Sequence, residues 1–120
     1  MPEKRIVIVD DDEFIRKTFF LLLSKKYKVD LASDGQEALA RFEKAPIDLI
    51  IADLRLPRKN GLQMLADFRR SGYKGKIILI SAWAEQVSRE ELEGLGVDRI
   101  FLKPLDLNSL NETIDALLGD

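Results

Sequence analysis

The chain contains no cysteine and no histidine. Without thiols it has no disulfide framework, no thiolate nucleophile and no thiolate metal site, a composition that suits a reducing compartment. Without imidazole it has no histidine general base. Charge of one sign is also lacking: the formal net charge is -2 and no basic run occurs, so the electrostatic footprint of a direct nucleic-acid binder is absent. Long apolar runs are missing too. The opening Met1-Pro2-Glu3-Lys4-Arg5 leads into a stretch too short for a signal-peptide core or a membrane span, and the cytoplasm is the expected location.

What is present is the composition of a folded domain. An apolar share of 46% is too high for a chain that stays disordered, and 120 residues fit one core between a sheet and its helices. A single monomeric domain over residues 1–120 is the expectation. Ile6-Val7-Ile8-Val9, Leu49-Ile50-Ile51-Ala52 and Ile77-Ile78-Leu79-Ile80 are unbroken apolar runs rich in β-branched residues. Strands of that kind are covered on both faces. Tyr27, Val29 and Leu31 instead alternate with Lys28 and Asp30, the pattern of a half-covered edge strand, and residues 99–102 supply a fifth strand.

Segments of helical period follow each strand, with Ala38, Leu39 and Phe42 on one apolar face and Leu107, Leu110, Ile114 and Leu117 on another. Ser33 with Gln36 and Ser88 with Glu91 have capping-box spacing, and Gly94 and Gly96 suit a helix stop. Repeated strand-helix units with right-handed crossovers predict an α/β fold: a five-stranded parallel sheet in order 2-1-3-4-5 with helices on both faces, the flavodoxin-like doubly wound arrangement. The ligand site of such a sheet forms beyond the carboxyl ends of the strands, where the winding reverses, here between the first and third.

Groups suited to phosphoryl chemistry stand at those ends. The first strand runs into Asp10-Asp11-Asp12, the third into Asp53, the fourth into Ser81 and the fifth into Lys103-Pro104. Carboxylates gathered at one rim repel one another, by roughly 4 kcal/mol for two charges 4 Å apart at an effective dielectric of 20. A hard divalent cation such as Mg²⁺, with Lys103 as a second positive charge, would neutralise them. A carboxylate is deprotonated at neutral pH and can attack phosphorus without a histidine base. Each residue also has an ordinary structural role open to it. Asp12 reads best as the cap of a helix starting near Glu13. Asp53 could begin a turn before Pro57, Ser81 could bond nearby backbone, and Lys103 could be a solvated lysine before proline. It is their coincidence at the ends of one sheet that points to a site.

Over nearly its whole length the chain resembles the receiver domains of bacterial-type response regulators, the CheY-like superfamily of two-component signalling. Asp10-Asp11-Asp12 followed by Arg16 is similar to the family's acidic opening, and Asp53-Leu54-Arg55-Leu56-Pro57 with Gly61 to its phosphorylation segment. Ser81-Ala82 resembles the hydroxyl-plus-alanine pair, and Leu102-Lys103-Pro104-Leu105 the lysine-proline step. The resemblance implies that Asp53 is the phosphoacceptor and a metal ligand. Asp11 would bind Mg²⁺ directly, Asp10 largely through water, and the Arg55 backbone carbonyl would complete the protein ligands; Mn²⁺ could substitute. Ser81 and Lys103 would bind phosphoryl oxygens, and the peptide before Pro104 would be cis. The aromatic switch position is filled by Ile100, with Phe101 beside it, and Arg55 and Trp83 stand where the family tunes phosphoryl lifetime.

The same resemblance implies a donor, a sensor histidine kinase or histidine phosphotransfer protein, since no phosphohistidine can form on this chain. It implies an output partner reached through the fourth helix, fifth strand and fifth helix, and a monomer that could dimerise on phosphorylation. Phe14, Ile15, Phe19, Phe20, Leu21, Leu22 and Leu23 cannot all face inward at 3.6 residues per turn, and the surplus at Phe14 would suit a kinase or phosphotransfer helix bundle. The alternatives are a haloacid-dehalogenase-like phosphatase, a flavodoxin-like FMN carrier, and a degenerate receiver used as a docking module. The phosphatase motif lacks its threonine here, and the acidic first loop lacks the backbone donors a flavin phosphate needs.

Overall fold

The computed structural model describes residues 3–54, 61–82 and 88–119. Five strands, β1 (Arg5–Val9), β2 (Lys28–Ala32), β3 (Leu49–Asp53), β4 (Lys76–Ser81) and β5 (Arg99–Leu102), alternate with five helices. The helices are α1 (Glu13–Leu23), α2 (Gly35–Lys44), α3 (Gly61–Arg70), α4 (Arg89–Leu95) and α5 (Leu107–Leu118). All strand pairs are parallel and the sheet order is β2-β1-β3-β4-β5.

Alternation along the strands divides the core in two. Val7, Val9, Ile50, Ala52, Ile77 and Leu79 pack with Ala38 of α2 and Met64, Leu65 and Phe68 of α3. Ile6, Ile8, Leu49, Ile51, Ile78 and Ile80 point the other way, onto Phe19 and Leu23 of α1 and Leu110, Ile114 and Leu118 of α5. Ile6 to Val9 and Leu49 to Ala52 are thus buried on both faces, at about 1.5–3 kcal/mol of burial free energy for each large side chain. In edge strand β2, half-buried Asp30 pairs with Arg5 of β1. In β5, Ile100 packs toward the α2–α4 layer and Phe101 toward α1 and α5.

Helix ends differ from the sequence reading in detail. The cap of α2 is Asp34, whose side chain accepts from the Glu37 N–H at 2.9 Å; Ser33 lies one residue too early and bonds the Glu37 carboxylate instead. An aspartate caps well because its carboxylate also opposes the positive end of the helix dipole. Ser88 and Glu91 do form a capping box, and Asp12 caps α1. Gly96 ends α4 at φ 71°, whereas Gly94 lies inside the helix. On α5 the buried side chains are Leu110, Ile114 and Leu118, leaving Leu107 exposed and Leu117 only partly covered.

Candidate functional site

The carboxyl ends of β1, β3, β4 and β5 bring the polar residues of the four strand termini together. Asp10 leaves β1 with its N–H donated to the Ala32 carbonyl at 3.1 Å, which holds the loop against the end of β2. Asp53 closes β3 opposite Ile80 of β4, and Ser81 lies opposite Leu102 of β5. The Lys103 N–H then donates to the Ser81 carbonyl at 3.0 Å, so the lysine departs from β5 over the same rim. The Lys103-Pro104 peptide is cis. Asp10, Asp53 and Ser81 are the buried polar side chains among the described residues, at 2%, 7% and 1% exposure, while Asp11 is exposed.

One carboxylate oxygen each from Asp10, Asp11 and Asp53 lie within 4.8 Å of one another. The Lys103 ammonium donates to Asp53 Oδ2 at 2.8 Å and lies 3.9 Å from Asp10 Oδ2. Asp10 Oδ1 accepts from the Asp12 N–H at 2.9 Å, but Asp10 Oδ2 is buried and accepts no hydrogen bond among the described residues. Burial pushes the Asp10 carboxyl up to about 6, with the charges of Asp53 and Asp11 adding to the rise against the Asp12 N–H and Lys103. For Lys103, partial burial works against the ammonium. Its bond to Asp53 and the charges of Asp53, Asp10 and Asp12 outweigh that and raise its pKa above the usual value.

Three carboxylates facing one ammonium leave an excess of negative charge, and a buried oxygen that accepts no hydrogen bond among the described residues adds to the cost. The residues therefore fit a hard divalent cation: the donors are all oxygens, converge from the loop after β1 and the end of β3, and include a buried one that accepts no hydrogen bond among the described residues. A hollow of about 410 Å³ flanked by Asp98 and Arg99 lies at the opposite end of β5 and has no part in this cluster.

A model of the family described as the response regulator receiver domain matches residues 6–115. The chain belongs to that family. It is 33% identical over 114 residues to the response regulator RR06 of Streptococcus pneumoniae, covering 94% of this chain and 52% of the relative. It is 35% identical over 117 residues to the regulator of RpoS of Escherichia coli K12, covering 96% and 35%. The chain thus spans about half or less of the length of these curated relatives. Among solved structures, the response regulator protein TrrA of Thermotoga maritima in complex with Mg(2+)-BeF superposes with a TM-score of 0.81 at 32% identity, covering 95% of this chain and 98% of that one. The receiver is a signalling domain of two-component systems, and the phosphatase and flavodoxin alternatives give way to it.

Of the residues singled out in the sequence, Asp10, Asp11, Asp53, Ser81 and Lys103 share one rim, with Ile100 and Phe101 on the adjoining strand. Arg55, Leu56, Pro57 and Trp83 lie outside the described residues. On α1, Phe14 and Leu21 are 74% and 72% exposed while Phe19 and Leu23 are buried. Among the described residues no helix is long and apolar enough to cross a membrane.

Two further contacts lie near the site. Arg16 donates through Nη1 to the Asp10 carbonyl at 2.6 Å, and Gly61 packs so closely on β3 that an added Cβ would lie 2.7 Å from the Asp53 carbonyl oxygen. For the glycine, its spacing after Asp53 is the signal the sequence carries. For Arg16 only its place in the acidic motif was visible, since the partner is a backbone oxygen that no sequence pattern encodes.

Proposed function

We propose that the chain is a phosphoacceptor switch in which Asp53 takes a phosphoryl group from a histidine kinase or histidine phosphotransfer protein, in a reaction that depends on Mg²⁺ or, in its place, Mn²⁺. The observation that carries this reading is the Lys103 ammonium at 2.8 Å from an Asp53 carboxylate that also lies within 4.8 Å of Asp10 and Asp11. A nucleophile, a countercharge and a cation-binding set meet at one rim.

Bound Mg²⁺, held by Asp10, Asp11, Asp53 and the Arg55 backbone carbonyl, would supply the positive charge that offsets both the carboxylates and the transferred oxygens. An Asp53 carboxylate oxygen attacks phosphorus and forms the new O–P bond of an acyl phosphate. The P–N bond to the donor imidazole breaks, its electron pair stays on the ring nitrogen, and that nitrogen takes a proton from solvent. Lys103 exchanges its bond to Asp53 for one to a phosphoryl oxygen, and the Ser81 hydroxyl donates to another. No general base is required, because the nucleophile is already ionised. The only chemistry is the domain's own phosphorylation and dephosphorylation, with Arg55 and Trp83 shielding the acyl phosphate from water.

The added phosphoryl group brings nearly two negative charges and three acceptor oxygens. By drawing on Ser81 and Lys103 it biases the surface of α4, β5 and α5, with Ile100 and Phe101 in the switch position, toward an output partner. The exposed Phe14 beside the acidic loop suits the docking of the donor's helix bundle. The reading is of one cytoplasmic receiver unit over residues 1–120, monomeric before phosphorylation.

The test is intact mass after incubation with acetyl phosphate, with and without Mg²⁺, on wild type and Asp53→Asn. One labile phosphoryl adduct, dependent on the metal and missing from the variant, is expected. An adduct that forms equally without divalent cation, or in Asp53→Asn, would refute the reading.

A further inference from the structure

We infer that Arg16 is a positioning residue of the carboxylate cluster: by bonding the Asp10 carbonyl it sets the direction of the Asp11 carboxylate and so the site's affinity for a divalent cation. This rests on reading Asp10, Asp11 and Asp53 as cation ligands.

Asp11 is exposed, and its carboxylate makes no hydrogen bond or ion pair among the described residues. Nothing on the side chain itself aims it at Asp10 and Asp53; the backbone sets the direction in which its Cα–Cβ bond leaves the chain, and so the region its carboxylate can reach. Two peptide groups flank it, and both are pinned. The preceding one presents the Asp10 carbonyl to Arg16 Nη1 at 2.6 Å. The following one donates the Asp12 N–H to Asp10 Oδ1 at 2.9 Å. With the Asp10–Asp11 and Asp11–Asp12 peptide planes both held, the Cα–Cβ bond of Asp11 has little freedom left.

The two pins differ in what they tie down. The bond from Asp12 N–H to Asp10 is internal to the acidic loop, whereas the cap from Phe14 N–H to Asp12 Oδ1 at 2.9 Å joins Asp12, but not Asp10, to the first turn of α1. Arg16 stands one turn along α1, whose neighbour Phe19 is in the core, so its bond fastens the loop to a packed element. It is also a charge-assisted bond in a partly buried place, roughly twice the strength of a neutral one.

Electrostatics alone would make this arginine a hindrance. A guanidinium close to a cation site repels the cation, and removing it should tighten binding by Coulomb's law. Positioning makes the opposite prediction. The two effects also respond differently to salt, since screening weakens the charge effect and leaves the geometry of a hydrogen bond in place.

The experiment is calorimetric titration of the whole chain with Mg²⁺ at low and high salt, using wild type, Arg16→Met, Arg16→Ala and Arg16→Lys, with each variant's fold checked by its circular dichroism melt. Methionine keeps the apolar stem, so it remains informative if alanine loosens the helix. The expected result is about 10-fold weaker binding in Arg16→Met and Arg16→Ala, as for other groups that orient metal ligands. The loss should be present at both salt concentrations, and Arg16→Lys, which keeps one donor, should recover most of the affinity. Folded Arg16→Met binding Mg²⁺ as tightly as wild type, or more tightly, would overturn the positioning role and leave the ligand reading standing. Wild type that does not bind Mg²⁺ would overturn the ligand reading and this inference with it.

Discussion

The ammonium of Lys103 lies 2.8 Å from the carboxylate of Asp53, its partner across fifty residues of sequence. Parallel pairing brings them together in two steps: Asp53 lies beside Ile80, and Ser81, the next residue, lies beside Leu102. The ends of β3 and β4 and the residue after β5 therefore meet at the same rim. In the absence of a cation this ion pair offsets part of the repulsion among the carboxylates.

Burial opposes the charge of Asp10. Its folded pKa is raised from 3.8 to about 6, so the folded state holds this proton more tightly than the unfolded state does. The sign follows: without metal, the ionised carboxylate destabilises the fold at neutral pH, and the penalty is relieved as pH falls through about 6 toward 4. Asp10→Asn should accordingly be more stable than wild type in chelator at pH 7.5, by on the order of 1–3 kcal/mol. The advantage should shrink at pH 5 and reverse in saturating Mg²⁺. Thermal melts of both proteins under the three conditions check this, and equal stability at pH 7.5 in chelator would contradict it.

Gly61 and Gly35 both begin helices but should respond differently to alanine. At Gly61 a Cβ meets backbone, 2.7 Å from the Asp53 carbonyl and 3.0 Å from Leu54 Cα, so the end of β3 must move. At Gly35 it meets only the Met64 side chain at 3.0 Å, which can shift. Gly61→Ala should cost about 1–3 kcal/mol and slow phosphorylation of Asp53, whereas Gly35→Ala should lie within about 1 kcal/mol of wild type and label normally. Urea melts and acetyl phosphate time courses distinguish the two.

Arg69 holds α4 in place. Helix α4 has no buried residue, yet its C-terminal end is bound by Arg69, which donates to the carbonyls of Leu95 at 2.8 Å and Gly96 at 3.1 Å, and to those of Tyr73 and Gly75, each at 3.1 Å. The guanidinium also lies over the Tyr73 ring. Arg69→Ala should lower stability by roughly 2–4 kcal/mol, since charged hydrogen bonds contribute about 1.5–3 kcal/mol each and water replaces some of them. It should also speed amide exchange over residues 92–97 more than in the sheet. Uniform acceleration everywhere would mean that the clamp is not local.

The sheet was legible because its three central strands are apolar without interruption and the turn to helical period is abrupt. The strand order follows from chirality once the edge strand is recognised by Lys28 and Asp30. Asp10, Asp11, Asp53, Ser81 and Lys103 were legible for the same reason: each stands at the end of a strand, and parallel topology makes those ends neighbours. What the sequence hid is carried by backbone oxygens and by one-residue choices. Asp34 rather than Ser33 caps α2 because two adjacent residues can both cap and only the loop geometry selects one. The contacts of Arg16 and Arg69 end on carbonyls, which every residue possesses, so nothing in residue type marks the acceptor.

The most direct test locates the modified atom. Protein treated with acetyl phosphate and Mg²⁺ is reduced with borohydride, which converts an aspartyl phosphate to homoserine, and the peptides are mapped by mass spectrometry. Homoserine at position 53 and no other aspartate, with none formed when Mg²⁺ is withheld, is the predicted result. Reduction at Asp10, Asp11 or Asp12 instead, or a phosphorylated protein with no reducible acyl phosphate, would contradict the assignment of Asp53 as the acceptor.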